Sequence, residues 1–217
     1  MSKQIKQTIA ELRSEYKSRT LDISDVSQNP FEMFDKWFTE AIKSGISEAN
    51  AMALATSSPG GIPSVRTVLL KDFNREGFVF FTNYESKKGK DIFQNPKASV
   101  LFFWKELERQ VRISGSVKKT SRQESEEYFN LRPMDTRIGA WASAQSKPIS
   151  SRSQLEEKFR QMKEKFNSGP IPLPDFWGGY RIIPNEFEFW QGRINRLHDR
   201  IYYKKKRGYW QISRLNP

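Results

Sequence analysis

The chain has one histidine, and it lies within Arg196-Leu197-His198-Asp199-Arg200. Two guanidiniums, a carboxylate and the one side chain that ordinarily titrates near neutrality therefore share five consecutive positions. Read as a strand, the segment projects residues 196, 198 and 200 to one face, so both arginines and the imidazole address one volume. Guanidiniums so close repel each other unless an anion lies between them. Phosphate suits that place because its oxygens match the planar fork bidentately, and an imidazole beside it could position a substrate or handle a proton. A solvated basic strand with Asp199 as a surface partner uses the same residues, and the segment alone leaves both readings open.

Three further segments carry cations at suggestive spacing. Arg66-Thr67-Val68-Leu69-Leu70-Lys71 has a basic residue at each end of an apolar strand. A separation of five places the two on opposite faces, so one ligand touched by both must wrap the strand end, or two anions are bound, or both are plain strand-end cations. In Thr82-Asn83-Tyr84-Glu85-Ser86-Lys87-Lys88-Gly89-Lys90, Ser86 is a good N-cap. A helix N-terminus beside Lys87 and Lys88 would cradle phosphate, although a solvated lysine-rich turn has the same composition. Tyr128, Arg132 and Thr136 recur every four residues, but Pro133 interrupts the helix, so they would converge on an anion only around its end. Trp190-Gln191-Gly192 offers a flat ring beside an amide, or simply a core tryptophan.

Composition limits the classes available. With 217 residues the chain is one large domain or two small ones. It has no 18-residue apolar run, and its first residues, MSKQIKQTIAELRSEYK, are charged throughout, so neither a membrane span nor a secretory signal is expected. Zero cysteines exclude disulfides, thiolate zinc sites and thiol nucleophiles. A single histidine argues against a dedicated metal site, and the cytosol is the expected compartment. The net charge of +12 suggests nucleic acid, yet the cations are dispersed and no zinc-finger, RRM or basic-helix pattern occurs. Smaller phosphates are the expected partners, with neither nucleic acid nor membrane.

The elements that must position these groups follow an α+β pattern. Ile5, Ile9, Leu12 and Tyr16 mark a helix over 3–17. Asn29-Pro30 opens a second, running through Phe31, Phe34, Trp37, Phe38 and Ile42 to Gly45. Short β-branched or aromatic runs at 51–57, 64–70, 77–82, 98–104 and 109–117 predict an antiparallel barrel or sandwich. A capping box at Ser121–Glu124 opens a helix to Leu131, and Ser153–Glu156 opens another with Leu155, Phe159, Met162 and Phe166 on one side. Residues 169–174, GPIPLP, read as a stiff connector. FWGGYRIIP, EFEFWQG, RIYYKKK and GYWQISRL read as four more strands, the last two a hairpin across Lys206-Arg207-Gly208. The strands before and after the helical insert are treated as one sheet system.

Taken in order, RTVLLK (66–71), FTNYESKKGKDI (81–92), LERQVRISG (107–115), YFNLRPMDTRIGAWAS (128–143), PDFWGGYRIIP (174–184), EFWQGRINRLHDR (188–200) and RLNP (214–217) closely resemble the pyridoxamine/pyridoxine 5′-phosphate oxidase family, from about Leu12 to Pro217. The resemblance implies one FMN-binding split β-barrel domain over 1–217 with a mobile segment over 1–20, and a homodimer holding FMN between subunits. It implies oxidation of pyridoxine or pyridoxamine 5′-phosphate to pyridoxal 5′-phosphate, with O2 reduced to H2O2 and ammonia released from the amine. By the same resemblance, Arg66, Thr67, Val68, Leu69, Leu70, Lys71, Phe81, Thr82, Ser86, Lys87, Lys88, Gln110, Gln145, Ser146, Trp190 and Arg200 contact FMN. Lys71, Tyr128, Arg132 and Thr136 take the substrate phosphate, Arg196, Leu197 and His198 border its ring, and Arg13, Ser14, Glu15 and Tyr16 close over it. Arg196 and His198 are the residues assigned to catalysis.

Phe81 stands where the family often has tyrosine, Lys87 where arginine is frequent and Thr136 where serine is frequent. Flavin chemistry accounts for an oxidase without cysteine, metal or hydrolytic triad. A split-barrel reductase using NAD(P)H and a noncatalytic polyanion-binding module remain as alternatives.

Overall fold

A computed structural model describes Tyr16 and residues 19–217. The helix expected over 3–17 and the residues Arg13, Ser14 and Glu15 lie outside the described residues. In chain order the elements are α1 (Pro30–Lys43), β1 (Ala51–Ser57), β2 (Pro63–Leu69), β3 (Asp72–Asn74), β4 (Gly77–Asn83), α2 (Lys87–Gln94), β5 (Lys97–Trp104), β6 (Arg109–Lys119), α3 (Arg122–Leu131), α4 (Met134–Ala142), α5 (Arg152–Lys165), β7 (Trp177–Gln191), β8 (Asp199–Lys205) and β9 (Trp210–Arg214). They form two compact units. The larger comprises Asn50–Phe102 and Ile113–Asn185; the smaller comprises the described residues up to Ala49, Phe103–Arg112 and Glu186–Pro217. Among the described residues no helix is long and apolar enough to cross a membrane.

In the larger unit the strand order is β2-β1-β5-β6-β7-β4-β3. Strand β1 alternates strictly, burying Met52, Leu54 and Thr56, as expected of a strand with one face in the core. It pairs antiparallel with β2, which sets Arg66 opposite Leu54. Strand β4 pairs with β7, Phe81 opposite Gly179 and Thr82 opposite Gly178, so strands on either side of the helical insert do share one sheet. The two glycines are required by close approach: a Cβ at Gly178 would overlap the Tyr84 hydroxyl, and one at Gly179 would meet Thr120.

Helix α3 keeps only half of its expected capping box. Ser121 Oγ accepts from the Glu124 amide at 3.0 Å, but the Glu124 carboxylate accepts from Arg181 instead. Pro133 ends that helix as expected and caps α4, which the sequence pattern had not indicated. Helix α5 starts two residues earlier than the Ser153 signal, with Ser151 as the N-cap for Gln154. The GPIPLP stretch is more than a connector, because Ile171 and Leu173 pack into a core with Phe129, Ile138, Phe166 and Trp177.

In the smaller unit Asn29 caps α1 by accepting from Phe31 N at 3.0 Å, and Pro30 occupies the first helical position. The buried stripe is Met33, Phe34, Trp37 and Ala41, whereas Ile42 faces outward. FWGGYRIIP and EFEFWQG form one continuous strand, β7, instead of two. Its far end pairs with β8, and β8 with β9 in the expected hairpin. Arg109, buried to 5% exposure, lies 4.2 Å over the Trp37 ring and donates to Glu40 at 2.7 Å and to Gln191 at 2.9 Å.

Truncating the plug of the larger unit's core removes buried methylenes that the rigid prolines on either side cannot replace by collapse. Ile171→Ala should lower unfolding stability by about 2–5 kcal/mol, read as a reduced midpoint in urea at unchanged slope. An unchanged midpoint would show that the segment is a spacer.

Candidate functional site

The larger unit contains a cavity of about 520 Å3. Strand β2 supplies Arg66, Thr67, Val68 and Leu69; Lys71 follows just past its end; β4 supplies Phe81, Thr82 and Asn83, and α2 supplies Lys88. Tyr128 and Arg132 come from the end of α3, Thr136, Gly139 and Ala140 from α4, Ser143 and Gln145 from the segment after it, and Trp177 from β7. Arg66, Lys71, Lys88 and Arg132 thus face one volume that no carboxylate of the described residues lines. The strand-face argument separating Arg66 from Lys71 does not apply, because β2 ends at Leu69 and the Lys71 amide already donates to Val79 O at 2.9 Å.

The electrostatics suit an anionic ligand. Lys88 is 9% exposed, and its ammonium donates only to neutral oxygens, Thr82 Oγ1 at 3.1 Å and Gln145 Oε1 at 3.0 Å, with Ser86 Oγ at 3.4 Å. Burial, reinforced by the neighbouring Arg66, brings its pKa down to about 8. Burial also holds Arg66 below the ordinary guanidinium range, with Asp91 opposing, and does the same to Arg132, with Tyr128 opposing. The NH1 of Arg132 is buried without a hydrogen-bond partner, and its guanidinium lies 4.7 Å over Trp177. Phe81 stacks on Tyr128 at 4.0 Å and 15°, and on Trp177 at 5.6 Å and 11°. Parallel rings beside uncompensated cations suit an aromatic ligand with an anionic tail.

Several residues expected at the site are spent elsewhere. Leu70 is in the core. Ser86 is fully buried, donating to Asn83 O at 2.7 Å while it caps α2 by accepting from the Gly89 amide, and of that helix Lys88 lines the cavity. Lys87 turns to Asp91, 3.2 Å from both carboxylate oxygens. Ser146 is exposed at φ +69° and is not in the lining. The cavity adds Asn83, Gly139, Ala140, Ser143 and Trp177 to the expected set; all five lay in quoted motifs, but except for Trp177 they had no charge or ring to draw attention. Gln110, Trp190, Arg196, Leu197, His198 and Arg200 belong to the smaller unit.

There the strand reading of RLHDR fails. Asn195 and Arg196 are both left-handed, at φ +57° and +60°, and β8 begins only at Asp199, so residues 196, 198 and 200 do not share a strand face. The turn places His198 Nδ1 at 3.1 Å from the Arg193 amide, which donates to it. That nitrogen is an acceptor, so the neutral ring carries its proton on Nε2. Burial, then Arg196, hold the His198 pKa below the ordinary imidazole range, with Asp199 opposing. The ring packs against Trp190 at 4.6 Å and Tyr16 at 5.6 Å. Asp199 is no free surface partner: it accepts from the Leu21 amide at 3.1 Å and from Arg214 at 2.8 Å. Arg200 donates to buried Glu188 at 2.8 Å and to Asn216 O at 2.8 Å, while Leu197 is exposed.

Residues 38–166 match the family model described as pyridoxamine 5′-phosphate oxidase, and residues 177–217 match the pyridoxine 5′-phosphate oxidase C-terminal dimerisation region. The pyridoxine/pyridoxamine 5′-phosphate oxidase of Paraburkholderia phymatum is 55% identical over 211 residues, covering 97% of this chain and 99% of the relative. That of Aliarcobacter butzleri is 54% identical over 210 residues, covering 96% and 99%. PhzG from Burkholderia lata 383, crystallised with tetrahydrophenazine-1-carboxylic acid, superposes with a TM-score of 0.87 at 26% identity, over 94% of this chain and 100% of that one. A pyridoxamine 5′-phosphate oxidase-related, FMN binding protein from Nostoc punctiforme superposes at 0.70 and 19% identity, over 88% and 100%, a likeness of fold. The α+β split barrel expected from the sequence is the fold these structures share with the chain.

The depressed Lys88 pKa has a sign that can be checked. Below pH 8 Lys88 is already protonated and an anion binds without proton uptake; from 8 to its ordinary 10.5, binding must bring a proton with it. Affinity for sulfate, whose charge is constant over this range, should be flat below pH 8 and fall above it by up to about tenfold per unit. In Lys88→Arg, always charged, the bend should vanish. Calorimetric titration across pH 6.5–10 measures both, and an identical bend in the variant would assign the titration to another group.

Proposed function

The chain belongs to the pyridoxamine 5′-phosphate oxidase family, and we propose that it oxidises pyridoxamine 5′-phosphate or pyridoxine 5′-phosphate to pyridoxal 5′-phosphate with O2 as acceptor. H2O2 is the co-product, and the amine substrate also yields NH3. The observation that carries this reading is a cavity that no carboxylate of the described residues lines, in which Arg66, Lys71, Lys88 and Arg132 share one volume with the stacked Phe81, Tyr128 and Trp177 rings. One anion would be accounted for by Arg66 and Lys88, the other by Lys71 and Arg132. Each charge-assisted hydrogen bond contributes about 1.5–3 kcal/mol, so a few per phosphate support micromolar binding.

The buried ammonium of Lys88 and the unpartnered NH1 of Arg132 fit phosphate-bearing ligands. Arg66, Thr67, Val68, Leu69, Phe81, Thr82, Lys88 and Gln145 would hold FMN, while Lys71, Tyr128, Arg132 and Thr136 would hold the substrate phosphate. When bound, FMN supplies a hydride acceptor for C4′ of the substrate and passes the electrons to O2. Arg196 orients and polarises the substrate ring. His198, kept neutral with Nε2–H outward from its Arg193 contact, positions the substrate as a hydrogen-bond donor. A homodimer with FMN held between subunits, in the cytosol, belongs to the same reading, and the matched dimerisation region supports the assembly.

Purified protein reconstituted with FMN and given pyridoxamine 5′-phosphate in air should form pyridoxal 5′-phosphate and peroxide together. Arg196→Ala should retain FMN and lose roughly 100-fold or more in turnover, while Arg66→Ala should weaken FMN binding itself by roughly tenfold or more. Full activity in both variants would discard the residue assignments. Turnover that requires NAD(P)H and yields no peroxide would replace the oxidase with a reductase.

A further inference from the structure

We propose that Thr56, which is not in the cavity lining, is a positioning residue that sets the Arg66 guanidinium for the cofactor phosphate; the inference rests on the reading of the cavity as an FMN site. Strand β1 turns Met52, Leu54 and Thr56 to the interior, and at 4% exposure Thr56 is the one hydroxyl in that inward row. Valine would fill the same volume, so packing alone does not call for the oxygen. Its partners do.

The Thr56 hydroxyl lies 2.8 Å from Asp91 Oδ2 and 2.7 Å from Arg66 NH1. A carboxylate only accepts and a guanidinium only donates, so the single hydroxyl proton must go to Asp91 and a lone pair must face Arg66. Asp91 is buried and held by Lys87 Nζ at 3.2 Å from both of its oxygens, so the direction of the hydroxyl is fixed. Asp91 itself stands 4.0 Å from Arg66 NH2, close enough for its charge to act directly but beyond hydrogen-bond range, so its directional hold on the arginine runs through Thr56. Ser64 Oγ takes NH2 at 2.6 Å, and the Leu54 and Ser64 carbonyls lie at 3.3 and 3.2 Å from NH1. Of these hydrogen bonds, only the one to the Thr56 hydroxyl leads on to a buried charge. The arrangement also explains why a carboxylate is tolerated behind an anion site: it fixes the cation's direction without facing the ligand.

A positioning role and a structural role differ in what they do to two flavins. FMN carries the phosphate that Arg66 would meet; riboflavin is the same ring and ribityl chain without it. Dissociation constants for both, from quenching of flavin fluorescence, are compared for wild type, Thr56→Val and Thr56→Ser, with the melting temperature of each protein. Thr56→Val should weaken FMN roughly tenfold and leave riboflavin within about twofold, and Thr56→Ser should restore the FMN preference. If the valine variant does not fold, Thr56→Ala is read by the same ratio. Equal weakening of both flavins, or an unchanged FMN preference in a wild type that has one, overturns the role of Thr56 and leaves the cavity reading intact. A wild type that binds FMN no better than riboflavin overturns both.

Discussion

Positive charge held in a low-dielectric cavity without a carboxylate facing it is the constraint around which the larger unit is organised. Placing Lys88, Arg66 and Arg132 there is costly in the unliganded protein, because burial disfavours each charged form. The cost is offset partly by neutral oxygens, as at Thr82 and Gln145, and partly by aromatic faces, as at Trp177. Those interactions are weaker than a full ion pair, which leaves the site short of negative charge and ready for an anion to supply it.

The rest of that unit keeps the cations from relaxing away. Antiparallel pairing of β1 with β2 fixes where Arg66 leaves the sheet. The Gly178-Gly179 pair leaves room on β7 for the Tyr84 hydroxyl and the Thr120 side chain. The Ile171–Leu173 plug seals the cluster that includes Phe129, Ile138 and Trp177, so Arg132 and Thr136, on either side of Pro133, rest on a packed base. A backbone held this way can carry side chains at separations that would otherwise relax by repulsion.

The smaller unit treats charge in the opposite way. Arg109 is buried against Glu40 and Trp37, Arg200 against Glu188, and Asp199 bonds both the Leu21 amide and Arg214. Its buried charges have partners within the fold and act as ties between distant stretches of chain. Tyr16 and Trp190 pack against the His198 imidazole, whose protonation is suppressed, which favours a donor or acceptor of hydrogen bonds over a standing cation.

Periodicity and composition determined a good deal of this. Alternation in 51–57, the Asn29-Pro30 cap, the Pro133 break and the terminal hairpin were legible because each depends on neighbours within a few residues. The phosphate-sized cation clusters were legible as residue types, though not as an arrangement. Sequence spacing set Arg66 and Lys71 on opposite faces, and only the end of β2 at Leu69 puts both on one cavity. Spacing likewise aligned Arg196, His198 and Arg200, and only the two left-handed residues at 195 and 196 undo that. Lys87 and Lys88 are adjacent and identical in type; Asp91, four residues on along α2, claims the first, and only the fold brings Gln145 to the second. Local rules fix elements because they act between near neighbours; the surroundings of a charge are assembled from residues far apart in sequence, so tertiary structure alone decided which charges are answered within the protein and which await a ligand.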